Sequence, residues 1–190
     1  MSWPVVKLGE LCHKVTDGSH NPPKGIEQSD YMMLSSKNVL DDQITMTSPR
    51  FLTRDDFDRE NKRTDVLPKD ILLTIVGTVG RVAVVTADHP KFTLQRSVAV
   101  LKPKQDEIDS RFFMYTLRNM LDVLLAGARG VAQKGIYLKQ LKELEIPLPP
   151  LAEQQRIAAI LDKADALRRK RQQAIDLADE FLRSVFLDMF

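Results

Sequence analysis

Residues 147–190 constrain the fold more than any other stretch. They open with Pro147-Leu148-Pro149-Pro150 and then run to Phe190 with neither glycine nor proline. Prolines fix φ, remove backbone donors and push the residue before them into extended geometry, so the opening is a stiff spacer. From Glu153 to Met189, roughly 37 residues predict about 55 Å of helix at ~1.5 Å per residue. A heptad frame fits, with Ile157, Ala164, Arg171, Ala178 and Val185 at a, and Ile160, Leu167, Ala174, Phe181 and Asp188 at d. Eight of these ten are apolar, the pattern of a coiled-coil seam. Leu161, Ile175, Leu182 and Met189 widen the stripe at e. A helix this long rests one edge on its own domain and leaves apolar surface over. The expected interface is therefore Ile157, Ile160, Leu167, Ala174, Ala178, Phe181 and Val185, and the expected assembly is an antiparallel homodimer. Arg171 is a polar defect at a, of the kind that lowers stability and fixes register.

The 150 residues before this helix suit one globular domain. The expected boundaries are 1–150 for that domain and 151–190 for a spacer and dimerisation helix. At 43% apolar residues the chain can bury a core. Cys12 is its one cysteine, so a disulfide within the chain is excluded and a reducing, cytoplasmic setting is expected. No metal-type spacing of His and Cys occurs, no leader-like segment opens the chain, and no apolar run is long enough for a bilayer. Net charge is +2. A strongly basic domain would advertise nucleic acid; this one does not, so any DNA reading has to rest on local patches.

Along the chain, Trp3 to Lys14 reads as a short strand or turn leading to a small helical segment. Residues 15–25, rich in Gly, Pro, Asn, Asp and Ser, read as a loop, with Ser19, His20, Asn21 and Lys24 as its binding-type side chains. Tyr31 to Leu34 is a short strand followed by a polar turn, Ser35 to Asn38. Val39 to Met46 returns as a strand with a turn at Asp41-Asp42. The charged 48–64 segment predicts an amphipathic helix capped by Thr53. Its mixed signs favour a solvated face over a nuclease carboxylate cluster. Ile71–Val76 and Arg81–Val85 form a hairpin pattern around Gly77-Thr78-Val79-Gly80. No Lys-Ser or Lys-Thr follows those glycines, so neither a P-loop nor a dinucleotide fingerprint is supported. Phe92 to Leu101 reads as one further core strand. Asp109 to Ala126 reads as one helix with an apolar stripe. Arg129 and Lys134 lie in a Gly-rich basic loop, and Leu138 to Ile146 returns as a helical turn and a strand.

This order of elements resembles one half of the specificity subunit of a Type I restriction–modification system. The residues that carry the likeness are WPVVKLGELC, YMMLSSKNVL, LPKDILLTIVGTVGRVAVV, LQRSVAVLKP and, most specifically, GVAQKGIYLKQLKELEIPLPPLAEQQRIAAIL. The resemblance implies an α+β target-recognition domain followed by a long coiled-coil helix. It implies a non-catalytic subunit that reads half of a bipartite site on double-stranded DNA. Methyltransferase subunits would dock on it, and motor and endonuclease subunits would join indirectly. S-adenosylmethionine, ATP and magnesium would sit on those partners, leaving this chain with no cofactor, no metal and no membrane contact. A chain with one domain and one helix is, on this reading, either a piece of a longer subunit or a half subunit that dimerises.

Base readout needs paired donors and acceptors, with Arg or Lys suited to guanine and Asn or Gln to adenine. The candidates on loops and edges are Lys37, Asn38, Thr78, Gln95, Arg96, Gln133 and Lys134. The competing reading is a coiled-coil adaptor without direct DNA contact, which the near-neutral charge favours.

Overall fold

The computed structural model describes residues 3–127 and 135–189. In chain order the elements are β1 (Val5–Lys7), β2 (Cys12–Asp17), β3 (Met32–Leu34), β4 (Val39–Leu40), β5 (Gln43–Ile44) and β6 (Arg50–Phe51). Then come α1 (Arg54–Thr64), β7 (Ile71–Thr74), β8 (Val82–Val84), β9 (Phe92–Leu94) and β10 (Val98–Pro103). The last are α2 (Ser110–Asn119), α3 (Leu121–Gly127), α4 (Leu138–Lys142), β11 (Glu145–Pro147) and α5 (Leu151–Met189).

The central sheet is antiparallel, in the order β2-β10-β7-β8. Side chains alternate across a strand, and here both faces are covered. Ile71 and Leu73 of β7, with Ala99 and Leu101 of β10, join the cluster that α2 closes with Phe112, Phe113 and Leu117. Leu72, Val98 and Val100 point the other way, into a second cluster with Leu34, Val39, Phe92 and Leu94. All four residues of β7 are consequently buried. A smaller sheet, β6-β3-β9, lies alongside, with β3 and β9 parallel. Cys12 is buried in the first cluster. Burial pushes its thiol up to about 12.

The α+β class, the hairpin at 77–80, the Thr53 cap and the long helix match the reading of the sequence. The Thr53 side chain accepts from the Asp56 amide. Three expectations need correction. Residues 12–17 belong to strand β2, so 12–14 are not a helical segment and the loop expected from residue 15 starts only after Asp17, because this backbone pairs with β10. Phe92 to Leu101 is two strands in two sheets, turning at Gln95–Ser97, where the Val98 amide bonds the Gln95 carbonyl at 3.1 Å. The helix expected over 109–126 breaks at Met120, whose amide reaches back to Thr116 and Leu117. Its apolar stripe nevertheless continues to the buried Leu124.

The long helix starts at Leu151, directly after Pro150. Gln154 and Ala158 are its buried residues, and Ile157 packs on the first cluster. The Gln154 side chain accepts from the Asp109 amide (2.9 Å) and donates to the carbonyls of Glu107 (3.0 Å) and Pro149 (2.8 Å). Further along, an ion cluster ties the helix to the body. Asp42 accepts from both Arg111 of α2 and Arg169 of α5. Arg111 also engages Asp162, which accepts from the Tyr115 hydroxyl at 2.8 Å. Burial works against the Arg111 charge, yet hydrogen bonds to Asp42 and Asp162 override it and hold its pKa above the ordinary value. Burial first, then the bond to Asp162, pushes the Tyr115 hydroxyl up to about 12.

Asp42 lies in the left-handed region, at φ 58°, which Asn tolerates as well as Asp. Asp42→Asn therefore isolates the charge from the turn. It is expected to cost about 1.5–3 kcal/mol, the range for a hydrogen bond to a charged group. The expected fall in Tm is roughly 3–12 °C for a chain of this size. Faster amide exchange should be confined to residues 162–172. Unchanged exchange there would show that the cluster does not hold the helix.

Candidate nucleic-acid interface

Five short segments meet at one end of the central sheet. The first is the chain after β2. Gly18 runs so close to β9 that a Cβ there would stand 2.1 Å from the Leu94 carbonyl oxygen and 2.4 Å from that of Gln95. This approach lets the Ser19 amide bond Leu94 (2.7 Å) and the Arg96 amide bond the Ser19 carbonyl (2.9 Å). The second segment is the Gln95–Ser97 corner itself. Ser97 is its hub: its carbonyl accepts from the Ile75 amide (2.9 Å), and its hydroxyl accepts from the Ser36 amide (3.0 Å). That last bond brings in the third segment, the Ser35–Asn38 turn. The fourth is the 77–80 turn, where Gly77 and Gly80 take positive φ. A Cβ on Gly77 would meet Ser36 Oγ at 3.7 Å. The fifth begins at Gly135, which bridges Val76, and continues with the Ile136 amide on the Ile75 carbonyl at 2.9 Å.

Between these segments lies a cavity of about 460 Å³. Ile75, Val76 and Ile136 supply apolar wall, and Asp17, His20, Arg63, Arg96 and Tyr137 line it with polar groups. Asp17 is buried. Arg63, at the end of α1, bonds both its carbonyl (2.9 Å) and its carboxylate, and His20 Nε2 meets the same carboxylate at 2.8 Å. The outer loop is pinned in turn, because Arg50 donates to the Pro23 carbonyl at 2.7 Å.

The charges around this end are unevenly engaged. Arg63, Arg111 and Arg169 hold internal carboxylates. Lys24, Lys37 and Arg96 are exposed, and none forms an ion pair among the described residues. The acids of α1 behave as a solvated face: Asp56 and Glu60 pair with Arg59, and Asp58 with Arg54. Among the described residues no group of His, Cys, Asp and Glu could hold a metal ion, and no helix is long and apolar enough to cross a membrane.

The family model of the Type I restriction modification DNA specificity domain matches residues 1–177. The chain belongs to that family. The specificity domain is 27% identical to the Type I restriction enzyme EcoBI specificity subunit of Escherichia coli over 186 residues, covering 95% of this chain and 38% of that protein. It is 24% identical to the MjaVIII specificity subunit of Methanocaldococcus jannaschii over 189 residues, covering 99% of this chain and 42% of that one. Among solved structures it resembles the HsdS subunit of Thermoanaerobacter tengcongensis, with a TM-score of 0.64 and 25% identity over 87% of this chain and 38% of that one. It also resembles a chain from a structure of complex assembly and conformational transition in a type I restriction–modification system, with a TM-score of 0.66 and 26% identity over 91% of this chain and 42% of that one. The specificity domain thus spans less than half the length of these relatives.

Of the residues singled out for base contact, Lys37, Thr78, Gln95 and Arg96 all fall on the converging segments. Lys37, Thr78 and Arg96 are exposed and Gln95 is half-buried. Asn38 is different. It is 3% exposed, its Nδ2 donates to the carbonyls of Thr45 and Thr47, and its Oδ1 accepts from the Ser35 amide. Its amide staples the turn and has no face left for a base, which corrects the reading of Asn38 as a contact residue. Gln133 and Lys134, like Arg129, lie outside the described residues. Arg63 and Tyr137 carried no signal in the sequence, because Arg63 is 46 residues from the Asp17 it holds. Along α5 the interface stripe is open beyond Ile157: Leu167 is 59% and Phe181 66% exposed, and Ile160, Ala174, Ala178 and Val185 are exposed too.

Proposed function

We propose that this chain reads one half of a bipartite DNA site as part of a type I specificity subunit, and that it performs no chemistry itself. The observation that carries this is the set of five converging segments whose exposed Lys24, Lys37 and Arg96 form no ion pair among the described residues, on a body clamped to a long helix. Family membership supports it and lends nothing to the adaptor alternative. Lys37, Thr78, Gln95 and Arg96, with Gln133 and Lys134, form the proposed reading set. Methyltransferase subunits are the proposed docking partners. They carry the S-adenosylmethionine chemistry, and they supply phosphate neutralisation that a chain of charge +2 does not. The proposed setting is cytoplasmic, and residues 1–150 and 151–190 are the proposed division of labour.

The open stripe of α5 is proposed to pair antiparallel with a second long helix, here that of another copy. An a-to-d′ register that sets Leu167 against the partner's Ala178 also sets Phe181 against the partner's Ala164. These two large side chains then each meet an alanine, while Ile160 meets the partner's Val185. The same register sets the basic run Arg168 to Arg171 opposite the partner's residues 174–177, which include Asp176, and sets Lys163 within about a turn of the partner's Asp179 and Glu180, which favours antiparallel over parallel.

The test is to assemble the chain with methyltransferase subunits and sequence the methylated sites. Arg96→Ala and Lys37→Ala should each cost about 1–3 kcal/mol and relax one base position, rather than weaken all sequences evenly and flatten the salt dependence as loss of a phosphate contact would. Leu167→Asp with Phe181→Asp should convert dimer to monomer by light scattering. If both basic variants leave affinity and specificity unchanged, the reading face lies elsewhere. A monomer for the unaltered chain at high concentration would remove the self-pairing.

A further inference from the structure

Among the polar groups in the 460 Å³ cavity, His20 is held in a way that fixes the tautomer of its neutral ring. Asp17 is buried and engaged by Arg63 at both its carbonyl and its carboxylate. A carboxylate paired with arginine accepts hydrogen bonds and does not donate them. The His20 Nε2 at 2.8 Å from Asp17 Oδ2 is therefore the N–H edge of the ring. The other ring nitrogen, Nδ1, is left for a ligand, and in the neutral imidazole it is an acceptor. The His20 side chain is 54% exposed, so the ring is tethered by one edge and open at the other.

This tether is not needed to hold the loop. Gly18 already packs against the Leu94 carbonyl, and Ser19 is bonded on both sides, to Leu94 and to Arg96. The adjoining wall of the cavity carries Arg96, a donor whose side chain forms no ion pair among the described residues. The Nδ1 acceptor of a neutral His20 and the Arg96 guanidinium, lining one cavity, complement the major-groove edges of DNA. Arginine matches the O6 and N7 acceptors of guanine, and an acceptor matches the exocyclic amino groups of adenine and cytosine.

We propose that His20 is a base-reading residue, oriented by Asp17 so that Nδ1 accepts from adenine N6 or cytosine N4 next to a guanine contacted by Arg96. This rests on the DNA-reading function proposed above.

The experiment compares wild type and His20→Ala, each assembled with methyltransferase subunits, on the methylated target and on DNA analogues that lack one exocyclic amino group. The variant should keep its Tm, since backbone contacts hold the loop. It should lose discrimination at one base position by about 5- to 150-fold, the range of a single good base contact. Deleting the amino group at that position should impair wild type by a similar factor and leave His20→Ala indifferent. An even loss over all sequences with a shallower salt dependence would make His20 a phosphate contact and overturn the proposal. A lowered Tm with unchanged specificity would make it a loop staple and overturn it equally. If the wild-type assembly shows no base preference that tracks with this chain, the DNA-reading function fails along with it. That outcome is distinct from one in which only the His20 effect is missing.

Discussion

Gln154→Leu is expected to destabilise the chain by about 3–6 kcal/mol, whereas Gln155→Leu, one residue on, should stay within about 0.5 kcal/mol. The two residues have the same chemistry and the same helix propensity. A helix turns about 100° per residue, at 3.6 residues per turn, and that rotation separates their fates. Gln155 is exposed, whereas Gln154 is 0% exposed, with its amide bonded to three backbone groups. Leucine fills a similar volume but offers no partner to the Asp109 amide or to the Glu107 and Pro149 carbonyls. A fully buried polar group left unpaired costs about 1–3 kcal/mol. Only the Pro149 bond is fully buried and the other two are part-buried, so the three together stay at the lower end of what three such groups would cost. The sum is a large share of the 5–15 kcal/mol typical of a folded domain. The same bonds join the N-cap of α2 to the start of α5, so the loss falls on the seam between body and helix. Thermal unfolding should show a Tm lowered by roughly 6–24 °C. A Tm within about 2 °C of wild type would mean that water replaces the amide at little cost and that the junction is held by the prolines and Ala158 instead.

The second large effect is expected at Gly18. The alanine Cβ would sit 2.1 Å from the Leu94 oxygen and 2.3 Å from its carbonyl carbon. Leu94 is fully buried in β9, paired with β3, so the obstacle is backbone that cannot step aside like a flexible side-chain tip. Overpacking typically costs about 1–3 kcal/mol, and an obstacle made of buried backbone puts this one at the upper end, a Tm lowered by roughly 6–12 °C. Relief comes by moving the 18–20 loop off β9, which breaks the Ser19–Leu94 and Arg96–Ser19 bonds. Gly18→Ala should therefore lose the proposed sequence-selective DNA binding even at temperatures where it is folded, while the proposed α5 pairing is unaffected. A variant with normal Tm and normal site preference would show that the loop approaches β9 less closely than 2.1 Å implies.

Several elements were legible in the chain itself because their signals are local. The long helix follows from four residues of proline-rich spacer and the absence of Gly and Pro after it. The Thr53 cap, the 77–80 hairpin and the turn at Asp41-Asp42 follow from residue types within a few positions of one another. The specific junction around Pro147–Gln154 was visible as a motif, but its physical role was not. Gln154 bonds Asp109, 45 residues away, and nothing in the local pattern separates it from Gln155.

The proposed reading face was legible in part. Lys37, Thr78, Gln95 and Arg96 were singled out because polar residues flank apolar strands, and that much is local. Which of them share a surface was decided by pairing at long range: Ser36 meets Ser97 across 61 residues, and Arg63 meets Asp17 across 46. Asn38 was misread for the same reason, since its amide bonds to Thr45 and Thr47 are made by the fold of the β4–β5 hairpin over the turn. The direction of α5 was likewise a tertiary outcome. Asp42 and Arg169 are 127 residues apart, and no periodicity within either segment encodes that they meet. The amino-acid sequence alone determined that a small mixed domain ends in one uninterrupted helix with a surplus apolar stripe, because backbone propensity, proline geometry and side-chain period act within a turn or two of the chain. The tertiary structure alone decided which polar side chains face outward together and which are sealed inside, because burial and hydrogen-bond partners are properties of segments brought together from far apart.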